Sequence, residues 1–249
     1  DWVRCLEVAE KLSDITGSPM RTEIAHYHCE LAEEALKTGD GESAEKHLRQ
    51  AQAADRRCAR ATILQAQTAM ARGDAKAAAA HYLKVAGQEP GFLPEILPDL
   101  MEAYRSCGRE DVLEQLRHLY RNHPSPALML TLADAIEHEE GDERAIAFLT
   151  KYLSEYADLA GLERLLDLQG RHPQADGQAR TAQRAVLAVV RHLRGRQPDY
   201  QCEHCGFSAR RLHWQCPSCE RWGTIRPVMP QPLAAGLESA ADGCAPERT

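Results

Sequence analysis

The chain has 249 residues, of which 27% are charged, 43% hydrophobic and 5% aromatic, and its formal net charge is −7. This composition excludes a low-complexity or fibrous chain and fits one extended or two compact soluble domains, with its many Ala and Leu residues favouring helix. The longest wholly apolar run, Ala185–Val190, is far too short to cross a bilayer, and nine cysteines without a signal-peptide pattern point to a reducing compartment.

In chain order, Asp1–Ile15 reads as an amphipathic helix with no partner before it, and the first residue is Asp rather than Met. The expectation is a fragment or processed product of a longer parent, its first repeat truncated. The next segment, Ile24–Glu30, gathers two His and a Cys, but at helical spacing they point in different directions and serve packing and a groove face. The Glu-rich run Glu30–Glu34 reads as a solvated helix face.

Glycines then mark a period. Gly39-Asp40, Gly73-Asp74, Gly108-Arg109 and Gly141-Asp142 are spaced 34, 35 and 33 residues. That is the period of the tetratricopeptide repeat, two antiparallel helices per unit. Each Gly is assigned to the turn within a unit, where positive φ carries little strain. Five residues on, Ala44, Ala78, Leu113 and Ile146 are expected to pack the second helix on the first; nine on come Leu48, Tyr82 and a discordant Arg117. The first clean unit runs from about Ala25 to Asp55 and the second from about Ala59 to Pro90; the third and fourth are more degenerate. Pro90 and Pro124 fall where units join. In such repeats the first helices line the concave face. The Gly register maps that face to His26, Cys29, Glu33 and Lys37 in the first unit and Arg60, Ile63, Gln67 and Met70 in the second, as a partner-binding groove.

After the repeats, Ala160–Leu168 reads as a helix, Arg171–Gly177 as a linker, and Arg180–Leu193 as a helix with Ala182, Val186, Val189, Val190 and Leu193 on one face. The domain reading is therefore helical repeats over 1–178, a linking helix over 179–198, a metal-binding ribbon over 199–229 and a disordered tail over 230–249. From Arg180 to Arg226 there are nine Arg, no Lys and three acids, so a basic C-terminal module follows an acidic body. Such a patch suits an anionic partner, a membrane surface or docking on the body itself.

The ribbon carries the strongest chemical signal: Cys202-Glu-His-Cys205-Gly206, nine residues, then Cys216-Pro-Ser-Cys219. Two Cys-x-x-Cys turns supply four thiolates, the tetrahedral set that suits one zinc ion, with iron as the alternative. A segment from Tyr200 to Pro227 cannot bury enough apolar surface to fold unaided, and a structural metal contributes on the order of 10 kcal/mol. Tyr200, Phe207, Trp214 and Trp222 lie in it. Docking on the preceding helices through Trp214, Trp222 or Phe207 is expected. A closed four-thiolate site argues for structure over hydrolysis. The chain has no P-loop, zincin or Gly-x-Ser-x-Gly motif, so no enzyme activity is assigned.

Helical repeats followed directly by such a ribbon, with Glu23-Ile-Ala-His-Tyr-His-Cys-Glu-Leu-Ala32, Tyr200-x-Cys-x-x-Cys-Gly-Phe207, Leu212-His-Trp-Gln-Cys-Pro-Ser-Cys219, Trp222 and Thr224-Ile225, resemble the lipopolysaccharide assembly protein B family. The resemblance covers nearly all of residues 1–229. It implies an all-α tetratricopeptide-repeat superhelix with a small C-terminal rubredoxin-like zinc ribbon of four cysteines, and a parent at the bacterial inner membrane, cytoplasmic side, held by an N-terminal helix absent here. It further implies a non-catalytic adaptor that restrains lipopolysaccharide synthesis by promoting FtsH-dependent degradation of the LpxC deacetylase. Protease and client would be its partners; a homodimer is compatible, and no nucleic acid is expected. Two other classes remain open from the residues alone. One is a nucleic-acid-binding ribbon, with Arg beside Trp214 and Trp222; the other is a rubredoxin-type electron carrier.

Overall fold

The computed structural model describes residues 1–17, 19–171 and 177–233. The described chain is mostly helical, with a small antiparallel ribbon near its C-terminal end. It divides into two compact units, one formed by Asp1–Val112 with Pro198–Val228 and the other by Leu113–Gln197 with the described residues after Val228. The expected linker over 171–177 and tail over 230–249 fall mostly outside the described residues.

In the first unit, α1 (Trp2–Thr16) starts on the Asp1 side chain, which accepts from the Arg4 amide, and ends on Gly17 in the left-handed region. It packs on α2 (Arg21–Lys37), and α2 packs on α3 (Gly41–Ala54). The turn between them shows why Gly-Asp recurs. Gly39 has φ 80°, and the Asp40 carboxylate caps α3 by accepting from the Ser43 amide. The next pair, α4 (Ala59–Ala71) and α5 (Ala75–Gln88), repeats the device: Gly73 has φ 79° and Asp74 accepts from the Ala77 amide. Ala44, Leu48, Ala78 and Tyr82 are all buried, as the period requires. Pro90–Phe92 then form a short 3-10 turn leading into α6 (Leu93–Ser106).

The second unit begins within α7 (Val112–Asn122), whose Leu113, Leu116 and Leu119 are buried. Arg117, discordant in the repeat, turns outward to Glu140 at 2.8 Å. Here α8 (Pro126–Glu140) and α9 (Asp142–Glu155) depart from the earlier register. Gly141 is itself the N-cap of α9, so that helix begins one residue sooner than α3 or α5 relative to its glycine. Ala145 and Leu149 are consequently buried, in place of the expected Ile146. After β1 (Tyr156–Ala157) comes α10 (Leu159–Arg171), which closely approaches its neighbours at Gly161. A Cβ there would stand 3.1 Å from Met129 and 3.2 Å from Tyr152. Arg164 joins Asp134 and Glu137 of α8.

The last helix, α11 (Gly177–Arg194), packs on α10 by a different face from the expected one. Val186, Val189 and Leu193 are exposed, whereas Val190 is buried. Gln183 donates to the Leu166 carbonyl, Arg191 reaches Glu163 and Asp167, and Arg194 reaches Glu163. Polar side chains overrode the apolar stripe. In the ribbon, β2 (Tyr200–Cys202) is the central strand between β3 (Ser208–Ala209) and β4 (Ile225–Pro227), both antiparallel to it. Within the expected tail, β5 (Gln231–Pro232) pairs antiparallel with β1.

Candidate metal centre and its seat

The two Cys-x-x-Cys turns are built alike. In the first, the Gly206 amide donates to the Cys202 carbonyl at 2.9 Å; in the second, the Glu220 amide donates to the Cys216 carbonyl at 2.9 Å. Both closing residues lie in the left-handed region, Gly206 at φ 76° and Glu220 at φ 59°. Sequence reading found the first because it is a glycine and missed the second because it is not. These turns bring the four sulfurs of Cys202, Cys205, Cys216 and Cys219 within 4.8 Å of one another. Cys202 to Cys219 is 3.8 Å and Cys205 to Cys216 is 3.6 Å. A regular tetrahedron with metal–sulfur bonds of about 2.3 Å has edges of about 3.8 Å. The donor set therefore fits one tetrahedral zinc ion, and four thiolates suit zinc and iron alike. Thr224 Oγ1 lies 3.2 Å from Cys202 Sγ, where its hydroxyl can donate to the thiolate.

Around the sulfurs the ribbon has only a small core: Tyr200, Cys202, Cys216 and Ile225, flanked by Phe207, Ala209, Leu212 and Cys219. Phe207 packs within the ribbon, on this core and on His213. Trp214 and Trp222 reach the helices. The Trp222 ring stacks on His26 of α2 with centroids 4.7 Å apart and 19° between planes, and meets Trp2 and Tyr27 edge-on. Trp214 packs on Phe92 at 4.9 Å. Between the indoles sits the Arg60 guanidinium of α4, 5.7 Å from one ring centre and 5.9 Å from the other. That is cation–π geometry, in a site where Arg60 is only 4% exposed.

Glu30 and Glu33 hold Arg60 from α2, at 2.8 and 2.6 Å. Burial works against its charge, but Glu33 and Glu30 together outweigh it and keep the guanidinium protonated. His26 is driven the other way, down to about 3, first by burial and then by Arg60. At neutral pH it is an uncharged ring under an indole. Two further ties complete the seat. The Tyr200 hydroxyl donates to Glu95. Arg226 lies over the Phe92 ring at 5.0 Å, with Glu89 3.7 Å away.

These contacts change the meaning of the expected groove. His26, Cys29, Arg60 and Ile63 are buried, and His26 and Arg60 face this chain's own ribbon. Glu33 and Met70 are partly exposed, and Lys37 and Gln67 are open. Trp2, Tyr27, Phe92, Glu95 and Arg226 also belong to the seat, a role that the sequence reading gave to none of them.

Residues 200–227 match the family model described as a rubredoxin metal binding domain, the zinc ribbon of LapB. Lipopolysaccharide assembly protein B of Escherichia coli K12 is 30% identical over 229 residues, covering 92% of this chain and 59% of that protein. The protein of the same name from Haemophilus influenzae is 27% identical over 232 residues, covering 93% of this chain and 58% of its own length. The chain thus spans about three-fifths of the curated relatives it matches. With a matching ribbon and relatedness along nearly its whole length, the chain belongs to the lipopolysaccharide assembly protein B family.

Proposed function

We propose that this chain is the repeat-and-ribbon part of a non-catalytic adaptor in lipopolysaccharide assembly, which promotes degradation of the LpxC deacetylase by the FtsH protease. The observation that carries the reading is the closed character of the metal centre. Four thiolates saturate a tetrahedral ion, and the ribbon they build docks on the helices rather than presenting a reactive position. The relatives' name supports a role in lipopolysaccharide assembly. The repeating Gly turns support a tetratricopeptide-like body, whose inner face offers a platform for a peptide or helix. Trp214 and Trp222 commit their faces to Phe92, His26 and Arg60, which counts against base stacking as their purpose.

In this reading the parent protein acts at the inner membrane, on the cytoplasmic side. Among the described residues no helix is long and apolar enough to cross a membrane; the anchor in this reading is an N-terminal helix of the parent, as the family resemblance implies. Tethering acts through effective concentration, roughly millimolar for a short flexible link. The deciding experiment measures LpxC half-life in cells lacking the parent, complemented with this chain alone or fused to an unrelated membrane helix. The fusion should restore turnover and the untethered chain should not. Full restoration by the untethered chain would replace tethering with an allosteric effect on client or protease. The open part of the face is tested by Lys37→Glu with Gln67→Glu, which should weaken client or protease capture at unchanged thermal stability. Arg60 is unsuitable for that test, because charge reversal there would break the seat.

A further inference from the structure

Away from the ribbon, two more cysteines meet. Cys29 lies in the middle of α2 and Cys58 is the N-cap residue of α4; their sulfurs are 3.8 Å apart. That is van der Waals contact, with no room for an atom between them. Both are buried, Cys29 completely and Cys58 at 5% exposure, within a core that includes Ala25, Ala32, Leu48, Ala51 and Ala61. As packing units alone, two facing thiols do nothing that Ala or Val could not do.

Their surroundings are unequal. Cys58 stands at the N-terminus of α4, where free amides and the positive end of the helix dipole favour negative charge. Its thiol is drawn below the ordinary range, first by the hydrogen bond from Cys29, against burial and Asp55, which oppose it, with the start of α4 and Arg60 assisting. Cys29, the donor of that bond, is pushed well above the ordinary range. A nucleophilic thiol at a helix N-terminus with a second thiol in contact is the arrangement that oxidises through a sulfenic acid and then a disulfide.

We propose that Cys29 and Cys58 form a redox-active dithiol, a modification site for small peroxides that is distinct from the ribbon cysteines, and that its disulfide ties α2 to the start of α4. The Cys58 thiolate attacks the O–O bond of hydrogen peroxide, giving a Cys58 sulfenic acid and releasing hydroxide, which leaves as water. Cys29 sulfur then attacks the Cys58 sulfur; the S–S bond forms, the S–O bond breaks, and a second water carries away the Cys29 proton. Both thiols are oxidised and the peroxide oxygens are reduced. Burial selects a small oxidant over a bulky disulfide. Closure would act close to the ribbon's seat, since Arg60 is two residues beyond Cys58 and His26 is on the turn preceding Cys29.

The test treats the full zinc-loaded chain with hydrogen peroxide, alkylates free thiols in denaturant, and maps peptides without reductant, while a chromogenic chelator reports released zinc. The expected result is a loss of two alkylatable thiols per chain. A linked peptide pair should carry Cys29 and Cys58, thiol reductants should reverse it, and it should form at doses that leave zinc bound. In Cys29→Ser, dimedone should trap a sulfenic acid on Cys58. Recovery of both residues as alkylated thiols after the ribbon has already lost its zinc would overturn the proposal. The mapping on the unaltered chain decides the matter even if a variant fails to fold.

Discussion

The ribbon and the first helical pair solve the same problem by opposite means. The α2–α3 pair is held by a continuous apolar core in which Leu48 and its alanine neighbours are fully buried, and its turn is closed by Gly39 and Asp40. The ribbon has four buried core residues, two of them cysteines, and three short strands. It makes up the deficit with thiolate chemistry on one side and aromatic docking on the other. The difference teaches that the helices position the seat independently of the ribbon, whereas the ribbon needs both its ion and the helices.

The largest test of that asymmetry is metal removal. A structural ion in such a module contributes on the order of 10 kcal/mol. Chelation, or Cys216→Ser, should therefore unfold residues 200–227 while leaving most far-UV helix signal. Tryptophan emission should shift to the red as Trp214 and Trp222 leave their seat. Amide protection surviving in metal-free ribbon would break the comparison.

Next come paired truncations. Trp222→Ala should cost about 4 kcal/mol in ribbon seating and Leu48→Ala about 3 kcal/mol in helix stability, both within the range for large-to-small core changes. Hydrogen exchange should separate them: Trp222→Ala should deprotect the ribbon alone, and Leu48→Ala should deprotect α2 and α3 first. Equal deprotection of both regions by either change would mean that they unfold as one.

Acidification should produce a smaller effect. Seated His26 stays neutral down to about 3, while an unfolded histidine takes up a proton below about 6.5. Between those values the unfolded state binds more protons, so seat stability falls as pH drops below 6.5, by about 2 kcal/mol at pH 5. His26→Gln should flatten that slope in denaturant titrations, whereas slope arising from protonation of the ribbon thiolates would persist in the variant. An unchanged slope would place the acid sensitivity in the metal centre.

The smallest expected change is a gain. Glu220 occupies the left-handed position that Gly206 occupies in the sister turn. Glu220→Gly should stabilise the ribbon by about 0.5–1 kcal/mol, the difference between a side chain's strain and glycine's entropy. Chelator-induced release of the bound metal should slow; faster release would show that the Glu220 side chain contributes more than its backbone strain costs.

Sequence spacing was enough to show the chemistry of the ribbon, because two Cys-x-x-Cys turns leave little choice about where four sulfurs go. It also showed the recurring Gly turns, because positive φ and an Asp cap leave a local mark. It misplaced Ile146 because moving the cap by one residue, from Asp to Gly141, rotates the helix face without altering the glycine spacing. It misread the face of α11 because the arginine pairs to Glu163 and Asp167 outcompete a stripe of valines. The seat was hidden for a different reason. The Gly register says that His26 and Arg60 can share a face, but not that an indole from position 222 covers one of them. Contacts between residues so far apart leave no periodic trace.

That same distance sets an order of assembly. The first unit is interrupted in the chain, which leaves it at Val112 and returns to it only at Pro198. During synthesis His26, Arg60 and Phe92 must wait, with their aromatic and charged surface uncovered, until the ribbon has emerged and found its ion. Early helical pairing involves neighbours and is fast; ribbon seating closes a long loop and comes last. A chain starved of metal would therefore accumulate as a helical intermediate with a bare seat, the kind of species that chaperones hold and proteases clear.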